Sequence, residues 1–184
     1  MHIKLIALLS LSLSQTVLYG AAAEPEVTVV GDPEKMIPAI ERALAKDDFT
    51  TSGDLMAAYW IRVRLDSACC ADASTQAAMD QLTIRAMANP KYSEFSRRAT
   101  RDQLREHYVS AGKQIEKALN DKTLSSPEWV AKYGLNKYLR ALAPAGTAVP
   151  TDKALFGEPA SWLARRQAAL AKIRAEWAAP ATGK

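Results

Sequence analysis

Hydrophobic side chains recur along most of this chain at the three- and four-residue steps that place them on one face of a helix. The densest such run lies in Ser52–Cys70. Its apolar residues at helical spacing are Leu55, Met56, Tyr59, Trp60 and Val63. We expect the remaining elements to pack against this helix.

A strand is the alternative interpretation of the same run. From Tyr59 to Asp66, large apolar side chains also alternate with the others at a period of two. No second run after residue 23 alternates strongly enough to pair with it, and an isolated strand would leave its backbone donors unpaired. We therefore predict a helix, with Ser52 as N-cap and Asp54 in the first turn, where the helix dipole favours an acid.

Capping residues, prolines and glycines divide the rest of the chain into further helices. The predicted starts lie near Asp32, Asp72, Tyr92, Thr100, Ser126 and Pro159. The helix from Ser126 carries a long apolar face with one weak point, Gly134. The members of that face are Trp129, Val130, Tyr133, Leu135, Tyr138, Leu139 and Leu142. Residues 46–53 are predicted to form a turn and residues 143–158 a long surface loop.

These elements predict an all-α fold, an irregular antiparallel bundle of six or seven helices. The richness in alanine, and the scarcity of valine, isoleucine and threonine after residue 30, favour helices in the same way. The alternative is a helical-hairpin repeat of the tetratricopeptide type, since helix pairs starting near Asp32 and Asp72 are separated by about 40 residues. The signature positions of that repeat are not filled, so we prefer the bundle.

The first 23 residues are typical of a secretory signal peptide. A weakly basic start precedes an apolar run, and small residues end it at an A-x-A cleavage site before Glu24. The apolar run is too short to span a membrane, so we expect no stable membrane insertion after cleavage. The protein is then exported, to the periplasm or the medium. Residues 24–31 are expected to be an extended arm, 32–179 a single helical domain, and 180–184 a disordered tail.

The net charge of the chain excludes few classes of binding partner. The chain of 184 residues has a formal charge of +4, which falls to +3 once the leader with its single lysine is removed. Such an excess permits attraction to anionic polymers but does not demand a nucleic-acid partner. We expect a protein partner and no nucleic acid.

The two adjacent cysteines, Cys69 and Cys70, are the only ones in the chain. Exported thiols tend to be oxidised, yet no third cysteine exists for an ordinary intrachain bridge. Three alternatives remain: two structural thiols, a redox-active vicinal disulfide, or an intermolecular bridge or metal ligand. The pair lacks the spacing of a metal site, so we expect no metal and no cofactor.

His107 is the one histidine outside the leader. As a general base it would need an orienting carboxylate and a nucleophile. Glu106 cannot face it on a helix, and Asp102 and Gln103 are spaced for an approach at best. We therefore expect His107 at a surface or helix boundary, and keep it as a minor catalytic candidate. The familiar motifs of hydrolases, phosphate-binding loops and calcium loops do not occur in the chain.

Basic and aromatic residues supply the binding candidates. Arg97, Arg101 and Arg105 recur at four-residue steps, so we expect them to fall on one helical stripe. Trp129, near a predicted helix start, is the tryptophan that we expect to be an exposed interface anchor. A second basic surface lies on the last helix, with Arg165, Arg166, Lys172 and Arg174. Both basic surfaces are interpreted as solvated faces in preference to a site for a polyanion.

The function expected from these observations is that of an exported, non-enzymatic helical binding protein of the cell envelope. Inhibitor, immunity and accessory roles all fit that description. The alternatives are a hydrolase of an envelope polymer, using a cleft carboxylate or His107, and a redox module using Cys69 and Cys70.

Overall fold

The computed structural model describes residues 27–178, in which the regular structure is eight α-helices and no strand. They are α1 (Pro33–Ala45), α2 (Phe49–Ser67), α3 (Ala78–Ala88), α4 (Pro90–Arg98), α5 (Arg101–Asn120), α6 (Leu135–Leu142), α7 (Asp152–Phe156) and α8 (Trp162–Ala178). Short 3₁₀ helices occupy Ala73–Ala77, Pro127–Tyr133 and Pro159–Ser161. The predicted all-α fold class is confirmed, and the strand interpretation is wrong.

The central helix is α2. It packs against α1, α3, α5 and α8, and residues on every side of it are buried. A helix buried all round is a core helix rather than a surface helix with one apolar face. The central position predicted for Ser52–Cys70 is therefore confirmed. The prediction of one buried face was too narrow, because α2 is buried on every side.

The start of α2 lies four residues before the predicted one. Asp48, not Ser52, is the N-cap, and its carboxylate accepts a hydrogen bond from the Thr51 N–H at 3.0 Å. The Ser52 hydroxyl lies inside the first turn, where it donates to the Asp48 carbonyl at 2.9 Å. The error arose because Asp48 and Ser52 lie close together. The side chain of either residue can accept a hydrogen bond from the free N–H groups at the start of a helix.

The contacts of α2 favour a bundle over a repeat. In a helical solenoid each repeat contacts only its neighbours in the chain. Here α2 packs directly against α8, the last helix, and α5 contacts both. The ends of the chain's helical region are thus brought onto one core.

Several predicted helix boundaries are confirmed. Thr100 and Gln103 form a reciprocal capping box at the start of α5. Asn89 caps α4, with Pro90 in its first turn, and so separates α4 from α3. These boundaries were predictable because a cap depends on residues a few positions apart and not on distant parts of the fold.

The helix predicted from Ser126 is divided in two at Gly134. A Cβ at residue 134 would clash with the Asp72 carboxylate, so only glycine lets the chain pass there. The same carboxylate accepts a hydrogen bond from the Asn136 N–H at 3.0 Å, in the first turn of α6. The first piece is a 3₁₀ helix that buries Trp129 and Val130, whereas the apolar face of α6 is exposed.

The loop predicted at 143–158 contains the short helix α7. Leu155 and Phe156 of this helix are buried against the core, which explains why it is ordered into a turn of helix. At the other end of the domain, Val27 and Val29 pack on the core, and residues 28–31 form a turn rather than an extended arm.

The predicted signal peptide and the predicted tail at 180–184 lie outside the described residues. Within residues 27–178, no helix is both long and apolar enough to cross a membrane.

Candidate functional site

A buried charge cluster joins α2 to α8. Arg62 and Asp66 of α2 are fully buried, and Arg166 of α8 is 5% exposed. The Asp66 carboxylate accepts hydrogen bonds from Arg62 at 3.1 Å and from Arg166 at 2.8 Å. Ser125 completes the cluster, since its hydroxyl and its carbonyl accept from Arg62 and Arg166 respectively. Burial lowers the pKa of Arg62, and the Asp66 charge acts against that change.

Trp129 belongs to this cluster. Its indole N–H donates to Asp66 at 2.6 Å, and only 7% of the residue is exposed. The prediction that Trp129 is an exposed interface anchor is therefore wrong. The expectation that Arg166 lies on a solvated face is wrong for the same reason, because a buried carboxylate provides its partner. This cluster fixes the packing of α2, α8 and the 3₁₀ helix, and it lines none of the cavities described below.

A groove with a volume of about 730 Å³ lies where α2, α5 and α8 meet. Its aromatic wall comprises Trp60, Tyr108 and Trp177, one from each helix. Tyr108 stacks on Trp177 with 3.9 Å between ring centroids, and Trp60 makes an edge-on contact with Tyr108 at a centroid distance of 6.0 Å. Burial raises the pKa of the Tyr108 phenol, so the hydroxyl stays protonated at neutral pH. We call these three residues and their surroundings the aromatic groove.

The polar rim of the aromatic groove is basic. Arg101, Asp102 and Arg105 line it from α5, and both arginines are exposed. Neither arginine has a hydrogen-bond or ion-pair partner elsewhere in residues 27–178. The Arg64–Glu176 pair across the groove neutralises itself at 2.6 Å. The rim therefore carries one more positive charge than negative.

Arg97 does not belong to this rim. It lies on α4, which ends at Arg98, whereas Arg101 begins α5. Its Nε donates to the Ser93 carbonyl of its own helix at 3.1 Å. The predicted stripe of three arginines is thus wrong for Arg97, because the capping box at Thr100 interrupts the helix that would have aligned them.

His107 lies at the boundary between α5 and α2, with 19% of its side chain exposed. Its Nδ1 is 2.7 Å from a carboxylate oxygen of Asp54 in α2. The orienting carboxylate therefore exists, but it comes from another helix rather than from Asp102. The opposite edge of the imidazole lies against Gly53, where a Cβ would approach Nε2 to 2.6 Å.

A second cavity of about 420 Å³ adjoins the first and shares its aromatic wall. His107 lines it together with Tyr92, Phe95 and Ser96. Among residues 27–178, Asp54 is the only hydrogen-bonding partner of His107, so no hydroxyl or thiol is activated by it. The arrangement is an orienting pair without a nucleophile in contact.

The cysteines follow α2. Cys69 and Cys70 are thiols in the structure and are not joined as a vicinal disulfide. The Cys69 sulfur is buried 3.6 Å from the Leu65 carbonyl, and burial raises the pKa of its thiol to about 11. A thiol with that pKa holds little thiolate at neutral pH, which makes Cys69 a poor redox nucleophile.

The aromatic residues of the groove were not predicted as a site. They come from three helices far apart in the chain, and each has the periodicity of ordinary core packing. Trp177 in particular is only half-buried and lines both cavities. Within residues 27–178, no group of three or more histidines, cysteines or acids is placed to hold a metal ion.

Comparison of the chain with protein-family models, with curated proteins and with solved structures gives no match.

Proposed function

We propose that this chain is an exported binding protein of the cell envelope, and that the aromatic groove takes a short segment of a protein partner. The segment presents a large apolar or aromatic side chain beside a carboxylate. One observation carries the proposal: Arg101 and Arg105 lie without partners on the rim of a cavity walled by Trp60, Tyr108 and Trp177.

The chemistry of the groove supports this choice of ligand. Half-buried aromatic rings offer contact area with little loss of side-chain freedom, and arginine forms two parallel hydrogen bonds with a carboxylate. Tryptophan, tyrosine and arginine are also the residues that carry most of the binding energy in protein interfaces.

Selection from a displayed library of random peptides tests the proposal. We expect the enriched peptides to combine an aromatic or large aliphatic residue with aspartate or glutamate. The Arg101→Ala/Arg105→Ala double variant should weaken their binding at least about tenfold, since a hydrogen bond to a charged group contributes about 1.5–3 kcal/mol.

Arg97→Ala is the matched control, because Arg97 is also exposed but does not line the groove. It should change the dissociation constant less than about twofold, as a remote surface charge does. Enrichment of peptides without acids, or equal losses in the two variants, would refute the groove as the binding site. Export is tested separately, by mass spectrometry of the N terminus, which should begin at Glu24.

A hydrolase acting on an envelope polymer is the second candidate, and the His107–Asp54 pair beside the second cavity is the observation that favours it. In this function His107 would act as general base and Asp54 would orient it. The contact of the imidazole edge with Gly53 weighs against the hydrolase. As general base, Nε2 of His107 must reach the substrate or a water, and this is the edge that lies against Gly53.

The two functions differ in their response to substitution. If the chain releases soluble fragments from purified envelope polymer, His107→Ala and Asp54→Asn should each abolish that release. If it is a binding protein, the same variants should leave peptide binding within a fewfold of the unchanged chain. Fragment release that survives both substitutions would remove the histidine mechanism.

A further inference from the structure

The second cavity shares a wall with the aromatic groove but differs from it in chemistry. The residues that line both are Trp60, Arg101, Tyr108 and Trp177. The large apolar residues that line the second cavity alone are Met56, Tyr92, Phe95 and Leu104. Its volume of about 420 Å³ lies within the range of roughly 300–1,000 Å³ that is typical of ligand pockets.

The second cavity has one free cation, at its border with the groove. The other polar groups with printed contacts are held within the chain: His107 lies 2.7 Å from Asp54, and the Ser96 hydroxyl donates to the Ser93 carbonyl at 3.3 Å. Arg101 has no such partner, and no acid lines this cavity, among residues 27–178. A side chain that enters the cavity is therefore apolar, and the nearest charge that the site favours is a carboxylate beside Arg101.

The two free arginines give the site a direction. Arg101 lines both spaces, whereas Arg105 lines the groove and not the second cavity. The order across the surface is therefore second cavity, Arg101, Arg105. Four residues of a helix rise about 6 Å, and alternate residues of an extended segment are about 6.6 Å apart. An extended segment that passes over the two arginines thus meets them with every second side chain.

We propose that the second cavity is the specificity pocket for the segment that the aromatic groove binds. The segment is extended and directs three alternate side chains at the protein. They are a large apolar anchor in the second cavity, an acid on Arg101 and an acid on Arg105. Asp102 also lines the groove, so the acids must lie at the arginines and not between them. This inference rests on the proposed function, since it names the register of the same peptide.

The lining residues offer matched substitutions. Met56, which is half-buried, and Leu104, which is 37% exposed, line the second cavity and not the groove. Met79 is also half-buried, but lines only the groove of the two spaces. Tryptophan at any of these positions fills space without changing the charge of the site.

Synthetic peptides of one composition test the register. In one, phenylalanine and two aspartates occupy alternate positions separated by alanine; in the other, the two aspartates are adjacent. Each peptide is made in both chain directions, and the tighter direction is compared by fluorescence anisotropy with the full chain. We expect the alternating peptide to bind at least about tenfold tighter, because only it reaches both arginines.

The anchor is tested by the ratio of affinities for phenylalanine-anchored and alanine-anchored alternating peptides. Met56→Trp and Leu104→Trp should each lower that ratio at least about fivefold, because a filled cavity no longer buries the ring. Met79→Trp should change both affinities by the same factor and leave the ratio within about twofold, because it lies outside the second cavity. Leu104 is at the surface, so its variant keeps the core intact even if Met56→Trp does not fold.

The outcomes separate this inference from the proposed function. Equal affinities of the two registers, or a ratio that Leu104→Trp leaves unchanged, would overturn the specificity pocket. The groove itself would still be supported by a loss of binding in Arg101→Ala/Arg105→Ala. If no acidic peptide binds, or if that double variant loses nothing, the proposed function fails and the specificity pocket fails with it.

Discussion

The buried charge cluster and the α6 face are opposite departures from the usual arrangement of a soluble domain. In the cluster, Arg62, Asp66 and Arg166 lie where apolar residues are expected. On α6, large apolar residues including Leu139 and Leu142 lie where polar residues are expected. The cluster is satisfied by partners inside the chain, whereas the face has none within residues 27–178. The buried charge cluster therefore stabilises the fold. The α6 face is available for contact with a molecule outside the chain.

The difference follows from the free-energy costs of burying a charge and of exposing an apolar side chain. A charge can be buried only if partners are in place, and Asp66 accepts from two arginines and a tryptophan. An exposed leucine costs the folded state little, since it was equally exposed in the unfolded chain. The two regions should accordingly respond in opposite ways to substitution.

The largest expected effect is at Asp66. Asp66→Asn leaves Arg62 and Arg166 buried without a counter-charge, which should lower the free energy of unfolding by about 3–5 kcal/mol. Urea denaturation followed by circular dichroism measures it. Glu176→Gln, which removes the exposed partner of Arg64, is the control and should cost no more than about 1 kcal/mol.

Replacing the whole cluster distinguishes unpaired charge from lost packing. Arg62→Met/Asp66→Leu/Arg166→Met should restore most of the stability, because apolar residues of similar volume often replace a buried ion cluster without loss. A triple variant less stable than Asp66→Asn would show that the hydrogen bonds of the cluster, and not the balance of its charges, hold the helices together.

The next effect compares two leucines. Leu65 of α2 is fully buried and Leu139 of α6 is 58% exposed. Leu65→Ala should cost about 2–5 kcal/mol, since it leaves a cavity in the core. Leu139→Ala should change the free energy of unfolding by less than about 0.5 kcal/mol. Thermal and urea unfolding of both variants measure the contrast, and a cost above about 1.5 kcal/mol at Leu139 would show that its side chain packs in solution.

A smaller effect is expected at the glycines that let α5 approach α2. Gly53→Ala would place a methyl group 2.6 Å from His107, and such overpacking costs about 1–3 kcal/mol. Gly112→Ala meets only Ile61, at 3.9 Å, and should be neutral or stabilising because alanine favours helix by about 1 kcal/mol. His107→Ala should rescue Gly53→Ala in a double-mutant cycle, and additive losses would place the strain elsewhere.

The smallest effect concerns the attachment of α6. Burial raises the pKa of Asp72, but hydrogen bonds from Ser74 and the Asn136 N–H outweigh it and hold the pKa below its ordinary value. A carboxyl with a lowered folded pKa stabilises the fold above its unfolded pKa, and that contribution is lost as the pH falls through the folded value. Asp72→Ala should cost about 1 kcal/mol at pH 7, and less near pH 3.

Urea unfolding at the two pH values measures this difference. Asp80→Ala, which removes an exposed acid from α3, is the control and should show no comparable pH dependence. A cost at Asp72 that stays constant across the pH range would mean that its contribution comes from packing and not from its charge.

Local patterns in the sequence determined the fold class, most helix boundaries and the organising role of α2. Caps such as Thr100 with Gln103, and breaks such as Asn89–Pro90, involve residues close in the chain, and helical spacing is a property of one segment. The candidate sites were predictable only in part. Arg101 and Arg105 line the aromatic groove, while Arg97 and Trp129 do not, because a helix break and a buried carboxylate intervene.

Only the tertiary structure decided which charges are inside and which leucines are outside. The spacing of residues shows which side chains share a face of a helix, but not whether that face meets another element. That depends on partners distant in the chain: Asp66 meets Arg166 across 100 residues, and Asp54 meets His107 across 53. A face with no such partner, like that of α6, has the same pattern in the sequence as one that is buried.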